Sequence, residues 1–174
     1  MWHRATMPDP GRRALLSGRV KPGPAPIRPP WTDEARIAIA CDGCAACRDA
    51  CPEAIIRIGD GGYPVVDFLA GNGACTFCGD CARACPADVF GHIGLPAWSL
   101  AVSVDDGKCL PAKGIHCETC RDSCDMQAIR FPPRLGGPPV PIVSSADCSG
   151  CGACLSHCPT GALSAAYSRE TMSP

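Results

Sequence analysis

Three stretches of this chain repeat one cysteine spacing, and that spacing limits the fold more than any other feature. Cys41, Cys44, Cys47 and Cys51 form the first run, Cys75, Cys78, Cys81 and Cys85 the second, and Cys148, Cys151, Cys154 and Cys158 the last. In each, two residues separate the first three cysteines, three precede the fourth, and a proline comes directly after it. Cys109, Cys117, Cys120 and Cys124, within "CLPAKGIHCETCRDSCD", read as a further copy with five residues inserted after its first cysteine and Asp125 in place of the proline. The interval supports that count: from Cys51 to Cys75, Cys85 to Cys109 and Cys124 to Cys148 it is 24 positions each time. Internal repetition at a fixed period signals repeated structural units.

The rest of the chain cannot build a large conventional core. Of 174 residues, 16 are Cys, 19 Gly and 19 Pro, against four Phe, three Trp and two Tyr. So many cysteines mark a scaffold built on them. Disulfides call for an oxidising compartment. "GRRALLSG" has the look of a twin-arginine export motif, but "RVKPGPAPIRPPW" stands where an apolar segment would be needed. The chain is therefore expected in the cytoplasm with its thiols reduced. The uncharged stretch from Val89 to Val104 is 16 residues and interrupted by Gly, His and Pro, short of the roughly 20 apolar residues that cross a bilayer. Structural zinc pairs two separated CxxC knuckles around one ion. Three cysteines at every third position plus a fourth suit a larger group, and this run is the signature of bacterial [4Fe–4S] ferredoxins.

In two-cluster ferredoxins the fourth cysteine of each run ligates the other cluster. That rule groups Cys41, Cys44, Cys47 and Cys85; Cys75, Cys78, Cys81 and Cys51; Cys109, Cys117, Cys120 and Cys158; and Cys148, Cys151, Cys154 and Cys124. Spacing leaves the pairing of runs two and three open, but tiling from the N-terminus strands no run. Four clusters are expected, or three if the third run is empty. Gly43, Ala45, Ala46, Gly79, Gly150, Gly152 and Ala153 let backbone N–H groups approach the sulfurs, or serve as turn residues. With sixteen cysteines available, His116 and His157 are expected to face solvent.

"IIRIGDGGYPVVDF" and "AIRFPPRLGGPPVPIVSS" read as β-hairpins around Gly/Pro turns, with "VFGHIGLPAWSLAVSVDDG" a looser one. In "CPEAII", "CPADVF" and "CPTGAL" the proline sits where a helix would begin, and Asp125 suits the same place. The expected fold is α+β: tandem ferredoxin-like modules of short hairpins and short helices, each unit about 34 residues long. The division is a basic, Pro-rich arm over 1–31, modules over 32–104 and 105–167, and a tail over 168–174.

Residues 1–30 carry a net +5 and the remainder −6. The arm is either a solubilising tail or a docking arm, with Arg12, Arg13 and Arg19 on a short helix and Trp31 anchoring an extended segment. An acidic body with few aromatics argues against nucleic-acid binding. No nucleophile–base pair or nucleotide fingerprint is visible, so the chain is expected to handle electrons without catalysing a reaction of its own.

"RRALLSGR", "IRPPW", "GGYPVVDF", "CTFCGDCARACP", the third run ending "CRDSC" and "CSGCGACLSHCPTGAL" resemble, in that order, the NapF family of ferredoxin-type accessory proteins of periplasmic nitrate reductase. The resemblance covers nearly the whole chain. It implies a cytoplasmic protein with several [4Fe–4S] clusters. It also implies contact with the catalytic subunit of the nitrate reductase before export, to mature that subunit's own iron–sulfur centre or to supply it with electrons. A general polyferredoxin carrier or wiring subunit of another oxidoreductase, and a purely structural adaptor, are the alternatives.

Overall fold

The computed structural model describes residues 25–32 and 34–168. Its architecture is α+β, with every element short. Helix α1 (Glu34–Ala40) precedes the first cysteine run, where the sequence suggested no element; it buries Ile37 and exposes Ile39. Each cysteine run then contributes one helical turn: α2 (Ala46–Asp49), α3 (Asp80–Arg83), α4 (Thr119–Asp122) and α5 (Ala153–Ser156). Three of these turns begin after a left-handed residue, Ala45 (φ 65°), Gly79 (φ 79°) and Gly152 (φ 88°). Glycine adopts that conformation freely, whereas at Ala45 the Cβ makes it cost about 1–2 kcal/mol.

The helical turn surrounds the third cysteine and lies before the fourth. This corrects the expectation of helices beginning at Pro52, Pro86, Pro159 or Asp125. Beyond the fourth cysteine of runs one, three and four the chain makes a single tight turn: Ala54 N–H donates to Cys51 O (3.0 Å), Gln127 N–H to Cys124 O (2.9 Å) and Gly161 N–H to Cys158 O (3.2 Å). The residues closing these turns, Ala54 (φ 53°), Gln127 (φ 50°) and Gly161 (φ 58°), are left-handed. A left-handed residue ends right-handed winding and redirects the chain, here towards the next strand. The turn after Cys124 therefore matches its counterparts without a proline.

Two of the expected hairpins form. Strands β1 (Ile56–Ile58) and β2 (Pro64–Val66) pair antiparallel with Ile56 opposite Val66. Their turn passes through Gly61 and Gly62, at φ 74° and 80°. Strands β4 (Ile129–Arg130) and β5 (Ile142–Val143) pair antiparallel with Ile129 opposite Val143. The looser third hairpin does not form. Strand β3 (Leu100–Val104) instead pairs with β6 (Leu163–Tyr167) near the C-terminus, Leu100 opposite Tyr167. The first half of that spacer is engaged elsewhere: Gly91 N–H donates to Trp31 O, Trp31 N–H donates to Ala97 O, both at 2.7 Å, and Phe90 bridges Thr32. The segment ending at Trp31 thus takes the hydrogen bonds a local hairpin would have used. A strand assigned by sequence to the first module makes its ladder with the end of the second.

The described part of the arm belongs to the folded body. Val66 N–H donates to Ile27 O at 2.7 Å. Arg28 is only 6% exposed. Its guanidinium donates to both carboxylate oxygens of Glu34 (2.8 and 2.6 Å) and to Pro64 O (3.0 Å), while its backbone N–H donates to the Tyr167 hydroxyl (3.0 Å). Trp31 Nε1 donates to Leu95 O at 2.9 Å. Arg12, Arg13 and Arg19 lie outside the described residues. One apolar cluster runs through both halves, joining Ile55, Val66 and Phe68 to Leu100, Ile129 and Leu163, with Cys47, Cys81 and Cys154 among its members.

Candidate metal centres

The sixteen cysteines are all free thiols, and the fold gathers them into four quartets. Cys41, Cys44, Cys47 and Cys85 line one cavity. Cys51, Cys75, Cys78 and Cys81 line a second, Cys109, Cys117, Cys120 and Cys158 a third, and Cys124, Cys148, Cys151 and Cys154 a fourth. In each, three cysteines of one run meet the fourth cysteine of another. Runs one and two exchange their last cysteines, as do runs three and four. Each cavity encloses 340–360 Å³ of atom-free space, part of it open to solvent.

The helical turns produce the exchange. On α2 the third cysteine, Cys47, points into its own quartet, while Cys51, just past the turn, joins the neighbouring one. Cys81 and Cys85 do the reciprocal on α3, and α2 packs beside α3. Helices α4 and α5 repeat the arrangement. Thiols stand around each cavity rather than meeting at a point. Among the described residues no three Cys, His, Asp or Glu side chains converge on a position for a single metal ion. A quartet arranged around a cavity suits a polynuclear group better than one zinc.

Burial sets the electrostatics. It pushes the thiols of Cys47, Cys75 and Cys120 up to about 11, and those of Cys81 and Cys154 up to about 12. Burial also raises Cys109 and Cys148. Desolvation disfavours a thiolate that has no cation beside it. Cys158 goes the other way: burial opposes ionisation, but donors from Thr160, Ala162 and Leu163 together outweigh it and lower its pKa. Ala162 N–H reaches Cys158 Sγ at 3.3 Å, as Phe77 N–H reaches Cys75 Sγ at 3.4 Å. Thiolates so placed require a positive partner; a cluster held by these cysteines would supply it through its iron, with the thiol protons lost on binding.

His116 is exposed, and its Nε2 lies 3.7 Å from Glu118 Oε1. His157 is exposed, with Nδ1 2.8 Å from Ala153 O. Neither lines a cavity with the cysteines. Two features that matter for the sites had no distinct sequence signal. One is Arg28, which looked like another charge of a basic arm. The other is the packing of Gly152 on Phe68, where a Cβ would come within 2.0 Å of the ring.

Comparison with known proteins agrees with this geometry. Residues 32–90 and 113–162 each match the model of a 4Fe-4S dicluster domain. The chain is 42% identical over 160 residues to the ferredoxin-type protein NapF of Escherichia coli K12, covering 91% of this chain and 96% of that one. The chain belongs to the NapF family. The NapF of Haemophilus influenzae is 41% identical over 138 residues, covering 79% of this chain and 77% of its own. A methylamine utilization ferredoxin-type protein, MauM of Methylobacillus flagellatus, is 33% identical over 161 residues, covering 83% of this chain and 69% of the relative. Like its NapF relatives, this is an iron–sulfur protein of ferredoxin type, with two dicluster domains in tandem. No described helix is long and apolar enough to cross a membrane.

Proposed function

We propose that this chain carries four [4Fe–4S] clusters and acts in the cytoplasm on the catalytic subunit of periplasmic nitrate reductase before its export. There it assists maturation of that subunit's own iron–sulfur centre, or delivers electrons to it. The observation that carries the cluster count is the completeness of all four quartets, including the one built on the interrupted third run. When bound, the clusters supply one-electron redox chemistry. The protein's residues do the rest: cysteines hold, the burying side chains exclude water, and backbone N–H groups donate to the sulfurs, all of which tune reduction potential. No reaction on a substrate is assigned to the chain, and nucleic acid is not a partner.

The partner is inferred from the family resemblance. Two measurements test the reading. Iron and acid-labile sulfide per chain after anaerobic purification are expected at about sixteen each for four cubanes; about twelve would leave the third run empty. Capture of the nitrate reductase catalytic subunit by the holoprotein is expected, and it weakens if residues 1–24 are deleted. Undiminished capture by the deleted chain would remove the arm from the interaction. The deletion stops at 24 because Ile27, Arg28 and Trp31 hydrogen-bond the body.

The likeness to MauM, named for a different metabolism, favours a second reading: a general electron-wiring subunit, indifferent to the nitrate reductase. That reading predicts clusters reducible at physiological potentials and no stable capture of the subunit.

A further inference from the structure

The two halves meet at their cysteine runs. Cys75 N–H donates to Cys151 O at 2.8 Å, a backbone hydrogen bond between the first cysteine of run two and the second cysteine of run four. Close approach is built in on both sides. A Cβ on Gly73 would lie 2.3 Å from Ser156 Cβ, and one on Gly152 2.0 Å from Phe68. Above the contact, the Trp98 ring meets Phe68 and Phe77 edge-on, at centroid distances of 6.0 and 5.8 Å. Its Nε1 donates to Ser149 O at 3.1 Å. Phe68 comes just after the first hairpin and Trp98 leads into β3, so this seam is a packed core contact rather than a linker.

We infer that the four quartets form one electron path across this seam, and that its order is not the order of the chain. The path begins at Cys41/Cys44/Cys47/Cys85 and passes through Cys51/Cys75/Cys78/Cys81. It crosses at Cys75–Cys151 to Cys124/Cys148/Cys151/Cys154, and ends at Cys109/Cys117/Cys120/Cys158. The interrupted run is thus a terminus rather than an interior relay. The inference rests on the reading that each quartet holds a cluster. Clusters held by these quartets would supply one-electron exchange between neighbours, with no atom or proton transferred. Gly73, Phe68 and Trp98 are positioning residues that line none of the four cavities, and Gly152, which also lines the fourth, completes the seam; together they fix the gap between the halves.

The test uses anaerobic holoprotein reduced with dithionite, read by iron and sulfide content and by EPR of the spin–spin interaction between reduced clusters. In the wild type the spectrum should require interaction beyond that of two independent pairs. Gly152→Val wedges the seam; with iron content retained, the interaction between the halves should fall at least twofold, while interaction within each half persists. Phe68→Ala, remote from any ligand in sequence, loosens the same contact and decides the matter if Gly152→Val loses iron. Gly94→Ala, where a Cβ would meet nothing within 4 Å, should leave the spectrum unchanged. A fully loaded wild type whose spectrum is two independent pairs, or iron-replete seam variants with undiminished interaction, would overturn the path. Wild-type protein far short of the iron for four clusters would instead overturn the cluster reading, and the path with it.

Discussion

Arg28 shows how much one side chain organises here. A buried guanidinium is costly unless its donors are satisfied, and Glu34, Pro64 O and the ring of Tyr63, 5.7 Å from its Cζ, surround it. Its backbone N–H reaches Tyr167 in the last strand, so one residue ties the N-terminal segment to both ends of the body. Arg28→Ala strands Pro64 O and Glu34, and should destabilise by about 2–3 kcal/mol, seen as earlier loss of cluster absorbance on heating. The hydrogen bond from Arg28 lowers the Glu34 pKa below 4.5. A depressed carboxylate stabilises above its unfolded pKa and loses that contribution as pH falls through the folded value. Glu34→Gln should therefore cost most near neutrality, about 1 kcal/mol given the exposure of Glu34. Its thermal stability should converge with that of the wild type as pH drops below 4.5. The left-handed position three residues after the fourth cysteine gives a paired test. Ala54→Gly should stabilise and Gly161→Ala destabilise, each by roughly 0.5–1 kcal/mol, and opposite shifts in unfolding temperature are the check.

At the scale of elements, the repeating unit is one helical turn around the third cysteine, preceded by a left-handed residue in runs one, two and four and followed by a tight turn past the fourth cysteine in runs one, three and four. Proline is not needed for it, because the Gln127–Cys124 hydrogen bond matches its counterparts. Asp125→Pro is accordingly expected to leave iron content unchanged. The five-residue insertion of the third run is absorbed by a short 3₁₀ turn, Pro111–Lys113, closed by left-handed Gly114. That turn stands between Cys109 and Cys117 and leaves both lining the same cavity. Cys117→Ser should remove about four irons per chain while the other three sites stay loaded, measured by iron analysis and EPR. Loss of all iron would show that the quartets assemble only together.

For the whole molecule, the question is what holds so small an apolar core together. The core cluster runs from one half to the other but contains few large side chains, and the hairpins are two or three residues long. Hairpins of that length are not stable alone. Metal binding that is coupled to folding supplies the difference. Anaerobic removal of iron by a chelator is therefore expected to abolish compactness, read as a rise in hydrodynamic radius with loss of the β-sheet circular dichroism. A cluster-free chain that keeps its radius would show that packing alone suffices. The β3–β6 ladder and the Arg28–Tyr167 bond span the two halves, so unfolding should be one cooperative event rather than two.

The cysteine spacing exposed the ligands and, with the rule that a run's fourth cysteine serves the other cluster, one arrangement of quartets, but it left open which runs exchange; the fold decides that runs one and two, and three and four, do so. The constant 24-residue interval similarly exposed the interrupted third copy, and the Gly-rich turns of two hairpins were legible from local chemistry. Tertiary structure decided what depends on residues far apart. β3 takes β6 as its partner because the segment around Trp31 already occupies the bonds of the third spacer. Helical turns sit before the fourth cysteines because Ala54, Gln127 and Gly161 reverse the winding just after them, and for Ala54 and Gln127 no propensity announces a left-handed backbone. The Arg28 clasp and the Cys75–Cys151 seam arise only when the halves close on each other, since each joins groups that have no relation along the chain.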